Sequence, residues 1–158
     1  FRVDEPAKVG RDRIADAAAA AAHYPLPCMT VDLGTATTYN VISADKAFLG
    51  GFIVPGVQTS LRAISAGTAQ LPPIAPEPPE QLIGANTVAA LNNGAMFGTA
   101  AMLDGLADRV ETELGQPLTV VVTGGLAPYI MPCCKRSIIY DADLLFKGLA
   151  LLWERNHN

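Results

Sequence analysis

Residues 30–40, TVDLGTATTYN, bring a carboxylate, a glycine and several hydroxyls to the point where two strands meet. Val31 and Leu33 alternate with Asp32 in the period-two pattern of a strand. Gly34 then permits close backbone approach, and Thr35, Thr37 and Thr38 offer hydroxyls and amides at and after the turn. A carboxylate oxygen beside exposed amides is what a polyphosphate and its counter-cation require, because the cation takes the carboxylate while the amides face the phosphate. An ordinary hairpin turn has the same spacing, so the stretch alone leaves both readings open.

The elements that must position these residues can be read from periodicity and breakers. Residues 11–24 are alanine-rich and predict a helix, ended by Pro25 and Pro27. Residues 28–33, 37–43 and 47–54 read as three strands in a meander, with 44–46 as the connecting turn and Pro55-Gly56 closing it. A short helix over 57–65 follows, with Leu61 and Ile64 on one face. Residues 71–79 hold five prolines and predict an irregular surface arm.

The longest helix is expected over 88–114, with apolar positions such as Met96, Ala100, Leu103 and Val110 and a stripe of small residues, Gly94, Gly98, Ala101 and Gly105. Residues 118–122 read as a central parallel strand, turned by Gly124-Gly125 into a short helix over 128–131. A last strand over 137–139 and a closing helix over 143–155, burying Leu144, Leu145, Leu149, Leu152 and Trp153, complete the order; His23 and Trp153 are expected to be packing residues. There is no internal repeat.

The chain has 158 residues, half of them apolar, and only 16% charged, the composition of an α/β protein with a sizeable core. A net charge of −4 without a basic cluster argues against nucleic acid as a partner. No apolar run approaches the roughly 18 residues needed to cross a bilayer, so no membrane partner is expected. No charged leader, apolar core and cleavage site open the chain, which predicts a cytoplasmic protein. Cys28, Cys133 and Cys134 lack metal-binding spacing and read as free thiols of a reducing compartment. The chain opens at Phe1 rather than Met, in a polar segment expected to build no element of its own and to have lost sequence upstream.

An antiparallel meander extended through a helix by a parallel strand is the topology of one lobe of the actin-like ATPase (RNase H-like) fold, a mixed sheet flanked by helices. Six segments in order then make the chain resemble the C-terminal half of a type III pantothenate kinase: VGRDR at 9–13, DLGTATT at 32–38, GGFIVPG at 50–56, GANT at 84–87, VTGGLA at 122–127 and the closing DADLLFKGLALLWERN. The resemblance implies residues 1–24 as an entry segment and helix carrying the Gly-x-Asp-Arg motif, and 25–158 as the C-terminal lobe. It implies phosphorylation of pantothenate by ATP with Mg2+, the first step toward coenzyme A, in a homodimer that needs a monovalent cation, K+ or NH4+.

Carried over by position, Asp12 resembles the general base. Gly10, Arg11, Asp12, Arg13 and Thr87 fall on the pantothenate side, with Arg13 on the substrate carboxylate. Gly34, Thr35, Gly124 and Gly125 fall on the ATP side, and Asp32 resembles the metal ligand.

The chemistry suits these roles. In-line phosphoryl transfer needs positioning, charge neutralisation and one carboxylate for the hydroxyl proton. An Arg fork matches a planar carboxylate. Plainer roles exist beside them: a dipole-favoured charge for Asp12, a solvated salt bridge for Arg13, a helix N-cap for Thr87 and a tight turn for Gly124-Gly125.

Two departures matter. Arg11 stands where the family has a small residue, so either the pocket is altered or the side chain turns outward. The Asp-x-Gly-Asn-Thr phosphate motif of the family's N-terminal lobe is absent from this chain, so that lobe is expected to be truncated, disordered or a second chain. The alternative function is a non-catalytic regulatory or accessory protein of the same fold.

Overall fold

The computed structural model describes residues 1–157; Asn158, the last residue of the expected lobe, lies outside them. Strands β1 (Cys28–Leu33), β2 (Ala36–Ile42) and β3 (Phe48–Pro55) form the expected antiparallel meander. β4 (Thr119–Thr123) adds to the other side of β1 in parallel, and the two-residue β5 (Ile139–Tyr140) adds to β4, giving one mixed sheet in the order β3-β2-β1-β4-β5. β5 begins two residues later than the sequence predicts, because only the stretch opposite Val121 and Val122 finds ladder partners.

The pleat sends alternate residues to two cores. Met29, Val31 and Leu33, with Tyr39, Val41, Val120 and Val122, pack against α2 (Val57–Gly67), α3 (Thr87–Leu114) and the single-turn α4 (Ala127–Ile130). Cys28, Ile42 and Val121 face α1 (Arg11–His23) and α5 (Leu144–His157) on the opposite side. The alanines of α1 explain how closely the two outer helices approach. Ala15, Ala19 and Ala20 are wholly buried, and a Cβ on Gly148 of α5 would lie 1.9 Å from the Ala15 carbonyl oxygen. Asp141 locks the same corner, accepting from Tyr24 Oη at 2.5 Å, Lys147 Nζ at 2.8 Å and the Asp143 amide at 3.1 Å.

Several expected core positions lie outside. In α5, Leu144 and Gly148 are buried against α1, while Phe146, Leu149 and Trp153 form a second apolar stripe that is exposed; Trp153 stacks on His157 instead. The helix is apolar on more than one face, and α1 covers only one of them. His23 and Ile64 are also exposed, at the end of α1 and on the outer side of α2. The N-terminal segment is more ordered than its composition predicts, with a 3-10 turn at Pro6–Lys8 and the Arg2 amide donating a hydrogen bond to the Phe48 carbonyl at 2.9 Å.

The proline-rich arm is irregular, as expected, and is fastened to α3. Asn92 brackets Glu77, accepting from its amide at 3.0 Å and donating to its carbonyl at 2.9 Å, and Asn93 donates to the carbonyls of Gln81 and Leu82. No helix among the described residues is long and apolar enough to cross a membrane. All three cysteines are free.

Candidate active site

α1 precedes β1 and runs back along the sheet, so its N-terminus stands over the C-terminal ends of the parallel strands β1 and β4. This is where open α/β sheets bind ligands. The helix starts at Gly10 without a side-chain cap, which leaves its first amides facing outward with the positive end of the dipole. Asp12 folds back over this start: a Cβ on Gly10 would lie 2.6 Å from Asp12 Oδ1. Asp12 is exposed and Asp16, one turn on, is only 2% exposed.

Beneath these residues the α1-facing side of the sheet is polar where the rest is aliphatic. Thr30 and Asp32 alternate with the core residues of β1, Thr38 and Asn40 face them across the β1–β2 ladder, and Thr123 lies opposite Asp32 on β4. Burial pushes the half-buried Asp32 carboxyl upward, and the nearby Asp12 charge adds to this. Asp16 is pushed from 3.8 to about 7, first by burial and then by the charges of Asp32 and Asp12; its Oδ1 is enclosed without a hydrogen-bond partner.

Arg13 is the cation of the group, and neutral partners hold it. Its Nε donates to Asn40 Oδ1 at 2.7 Å, one Nη to the Tyr39 carbonyl at 3.4 Å, and the guanidinium carbon lies 5.5 Å from the centre of the Phe48 ring. Burial lowers its pKa, while the Asp12 charge opposes that shift. Among the described residues neither Arg13 nor Asp32 joins an ion pair.

Two turns line the strand ends. Gly34 lies under the Asp32 carboxylate, 3.5 Å from its Oδ1 if a Cβ were added. The exposed Thr35 is pinned from behind: its carbonyl accepts from the Gly56 amide at 3.0 Å and from Thr59 Oγ1 at 2.8 Å, which ties the hairpin to the start of α2. Gly124, with φ +100°, crosses the end of β1 so closely that a Cβ would come within 2.8 Å of the Leu33 backbone. Gly125 beside it faces open space.

The fold thus collects Gly10, Asp12, Asp32, Gly34, Thr35, Gly124 and Gly125 toward one end of the sheet, while the Arg13 side chain reaches from the helix start to Asn40, Tyr39 and Phe48. Arg11 is exposed and joins no ion pair among the described residues. Thr87 is not part of this group within the chain. It is the first residue of α3, on the other face of the sheet, and the N-cap is its neighbour Asn86, whose side chain accepts from the Ala89 amide at 2.9 Å.

Asp16, Asn40 and Thr30 are members that motif reading passes over. Asp16 carried a signal, a lone acid within an alanine run at i+4 from Asp12. Asn40 and Thr30 carried one only through strand register.

Three carboxyls and one arginine leave this end of the sheet with acidic excess. A cation shared with an anionic ligand would relieve it, and the donor set, carboxylate and hydroxyl oxygens, suits a hard cation. The side chains do not cage a metal by themselves: no cluster of three or more His, Cys, Asp or Glu among the described residues is placed to hold one.

A model of the type III pantothenate kinase family matches residues 1–109. A type III pantothenate kinase of Hyphomonas neptunium is 44% identical over 155 residues, covering 98% of this chain and 61% of that protein. One from Dehalococcoides mccartyi is 43% identical over 155 residues, covering 98% and 60%. The chain therefore spans about three fifths of the length of the curated relatives it matches. Among solved structures, a protein from Campylobacter jejuni described as a Baf family transcriptional activator superposes with a TM-score of 0.71 at 24% identity, over 100% of this chain and 69% of that one. The ethanolamine utilization protein EutJ from Carboxydothermus hydrogenoformans gives 0.53 at 19% identity, over 89% and 53%. These likenesses are of fold: the chain is an actin-like, RNase H-like lobe.

Proposed function

The chain belongs to the type III pantothenate kinase family, and from that premise we propose that it supplies the pantothenate pocket and one side of the ATP site of an enzyme making 4'-phosphopantothenate. The observation that supports this reading is Asp12 at an open helix N-terminus close to the Asp32 carboxylate, with the Gly34 and Gly124 turns at the same strand end and Arg13 one residue on, held by Asn40. Asp12 takes the proton of the pantothenate hydroxyl as that oxygen bonds to the γ-phosphorus and the bond to ADP breaks. Its exposure leaves it free to reach a substrate. Arg13, with no acidic partner among the described residues, is free to receive the substrate carboxylate. The amides of α1 and the Gly34-Thr35 and Gly124-Gly125 turns face the phosphates. Asp32 would hold a monovalent cation beside them, and Mg2+ bound with the nucleotide would neutralise phosphate charge.

In this reading residues 1–24 form the entry helix and 25–158 the lobe, and an N-terminal lobe with the Asp-x-Gly-Asn-Thr motif, in the same chain or as a second one, supplies the opposite wall. Two copies meet through α3. A Cβ on Gly94, Gly98 or Gly105 would touch nothing, and a groove of about 410 Å3 lies between α2 and α3. Such a pairing is also what would bring Thr87 to a pantothenate pocket that it does not reach within its own chain. The reading puts the reaction in a reducing cytoplasm, which free thiols such as Cys133 and Cys134 suit.

An ATP-consumption assay on the purified chain, with and without the N-terminal lobe, tests the reading. Without the second wall the phosphoryl group reacts in water, where positioning and electrostatic stabilisation are weakest, so the chain alone should be inactive and the mixture active. Inactivity of both would favour the accessory-protein reading, and full activity of the chain alone would show the second wall to be dispensable.

A further inference from the structure

We propose that Asn40, braced by Thr30, is the residue that positions the Arg13 guanidinium for the substrate carboxylate, an inference that rests on the reading of Arg13 given above. An arginine on a helix end is a poor clamp by itself, because four rotatable bonds must be ordered each time a ligand arrives. Here the ordering is already done by a buried polar chain. Asn40 is wholly buried on β2; its Oδ1 accepts from Arg13 Nε at 2.7 Å and its Nδ2 donates to Thr30 Oγ1 at 3.0 Å.

Thr30 is equally buried and is the register partner of Asn40 across the β1–β2 ladder, so the brace is anchored in the rigid centre of the meander. The Tyr39 carbonyl and the Phe48 ring hold the guanidinium from two further sides.

The chemistry of the brace matters as much as its geometry. Every partner Arg13 has is uncharged, and among the described residues no carboxylate pairs with it. Asn40 engages Nε and Tyr39 one hydrogen of one Nη, which leaves the outer edge, with a hydrogen on each Nη, to a ligand. A guanidinium fixed in direction with its charge unspent is arranged for an anion from outside, and a planar carboxylate is the anion its fork fits. A brace serving only to staple α1 to the sheet would need no such vacancy.

The test compares wild type, Asn40→Ala, Asn40→Asp and Arg13→Met in the complete two-lobe enzyme, using pantothenate and its uncharged carboxamide analogue. Binding is measured by calorimetry and KM and kcat by turnover, and thermal melting checks folding of each variant. Loss of a hydrogen bond to a charged group is worth roughly tenfold or more in affinity. Asn40→Ala should therefore weaken pantothenate at least about tenfold, chiefly in KM, while the KM for ATP stays put and the carboxamide analogue is weakened little. Asn40→Asp retains an acceptor for Nε but pairs the guanidinium with a carboxylate, so it should leave pantothenate weakened, and full recovery by it would overturn the role given to the uncharged brace. Unchanged pantothenate affinity in Asn40→Ala, with Arg13→Met strongly weakened, would overturn the positioning role and leave the clamp standing. Equal weakening of the acid and the carboxamide would overturn it as well, reducing Asn40 to a structural residue. An unaffected Arg13→Met would overturn the clamp and this inference with it.

Discussion

Replacing Asp16 by Asn should stabilise the fold at neutral and alkaline pH and leave it unchanged in acid. The carboxyl is 2% exposed, one of its oxygens has no partner, and Asp32 and Asp12 repel its charged form, so that its pKa rises from 3.8 to about 7. A folded-state value above the unfolded one means that the native state holds a proton the unfolded chain releases. Its contribution is fully present below 3.8 and is lost as pH rises to about 7. At about 1.4 kcal/mol per pKa unit, a rise of some three units has a ceiling of about 4 kcal/mol; water at the strand ends screens part of the repulsion, leaving about 2 kcal/mol. Asn keeps the shape, cannot ionise and brings a donor among acceptor-only neighbours. Denaturant melts from pH 4 to 8 should show wild type losing more stability over this window than Asp16→Asn, in which only the smaller contribution of groups such as Asp32 remains. At pH 8 the variant should melt about 4–8 °C higher, the shift that 2 kcal/mol produces in a domain of this size. Parallel pH profiles for the two proteins would refute the argument, since they would show that Asp16 titrates no differently in the folded and unfolded chains.

Three further outcomes follow from the proposed chemistry. Asp12→Asn in the complete enzyme should lower turnover by roughly two to four orders of magnitude with pantothenate binding largely intact, because shape is kept and proton acceptance lost; comparable turnover would remove Asp12 as the base. Activity should depend on potassium or ammonium, with sodium a poor substitute, and Asp32→Asn should abolish that preference; equal wild-type rates in sodium-only buffer would count against the cation role. Gly98→Glu places a charge on the open stripe of α3 and should give monomers in sedimentation, whereas an unchanged dimer would put the interface elsewhere.

Local pattern made much of the fold legible. The meander came from alternation, because one-residue shifts would have turned Val31 and Leu33 out of the core, and the long helix came from the spacing of its apolar positions. What local pattern could not decide is which of two apolar faces a neighbour covers. In α5 the stripe of Leu144 and Gly148 and the stripe of Phe146, Leu149 and Trp153 are equally apolar in sequence. Only the packing of Gly148 on Ala15 decides between them. β5 was misplaced for a similar reason: a two-residue edge strand is set by where its neighbour's ladder ends.

The site divides along the same line. Backbone features were legible in part: Gly124 is required where the end of β4 crosses β1 so closely, whereas a Cβ on Gly34 would meet only ordinary contacts, and the motif at 10–13 announces itself at a helix start. Side-chain direction was not. Arg13 alone allows a solvated salt bridge as readily as a ligand clamp. The difference lies in Asn40, which is 27 residues away in the chain and meets Arg13 only because β2 folds back beside β1 under the helix. Asp16 shows the electrostatic counterpart. An aspartate in an alanine helix is unremarkable until the strand beneath supplies Asp32, and then burial and two neighbouring charges make it the most strongly perturbed carboxyl of the site. Residues that orient or tune a site are therefore harder to read than residues that carry its chemistry, because their types are ordinary and their meaning comes from the register that brings them together.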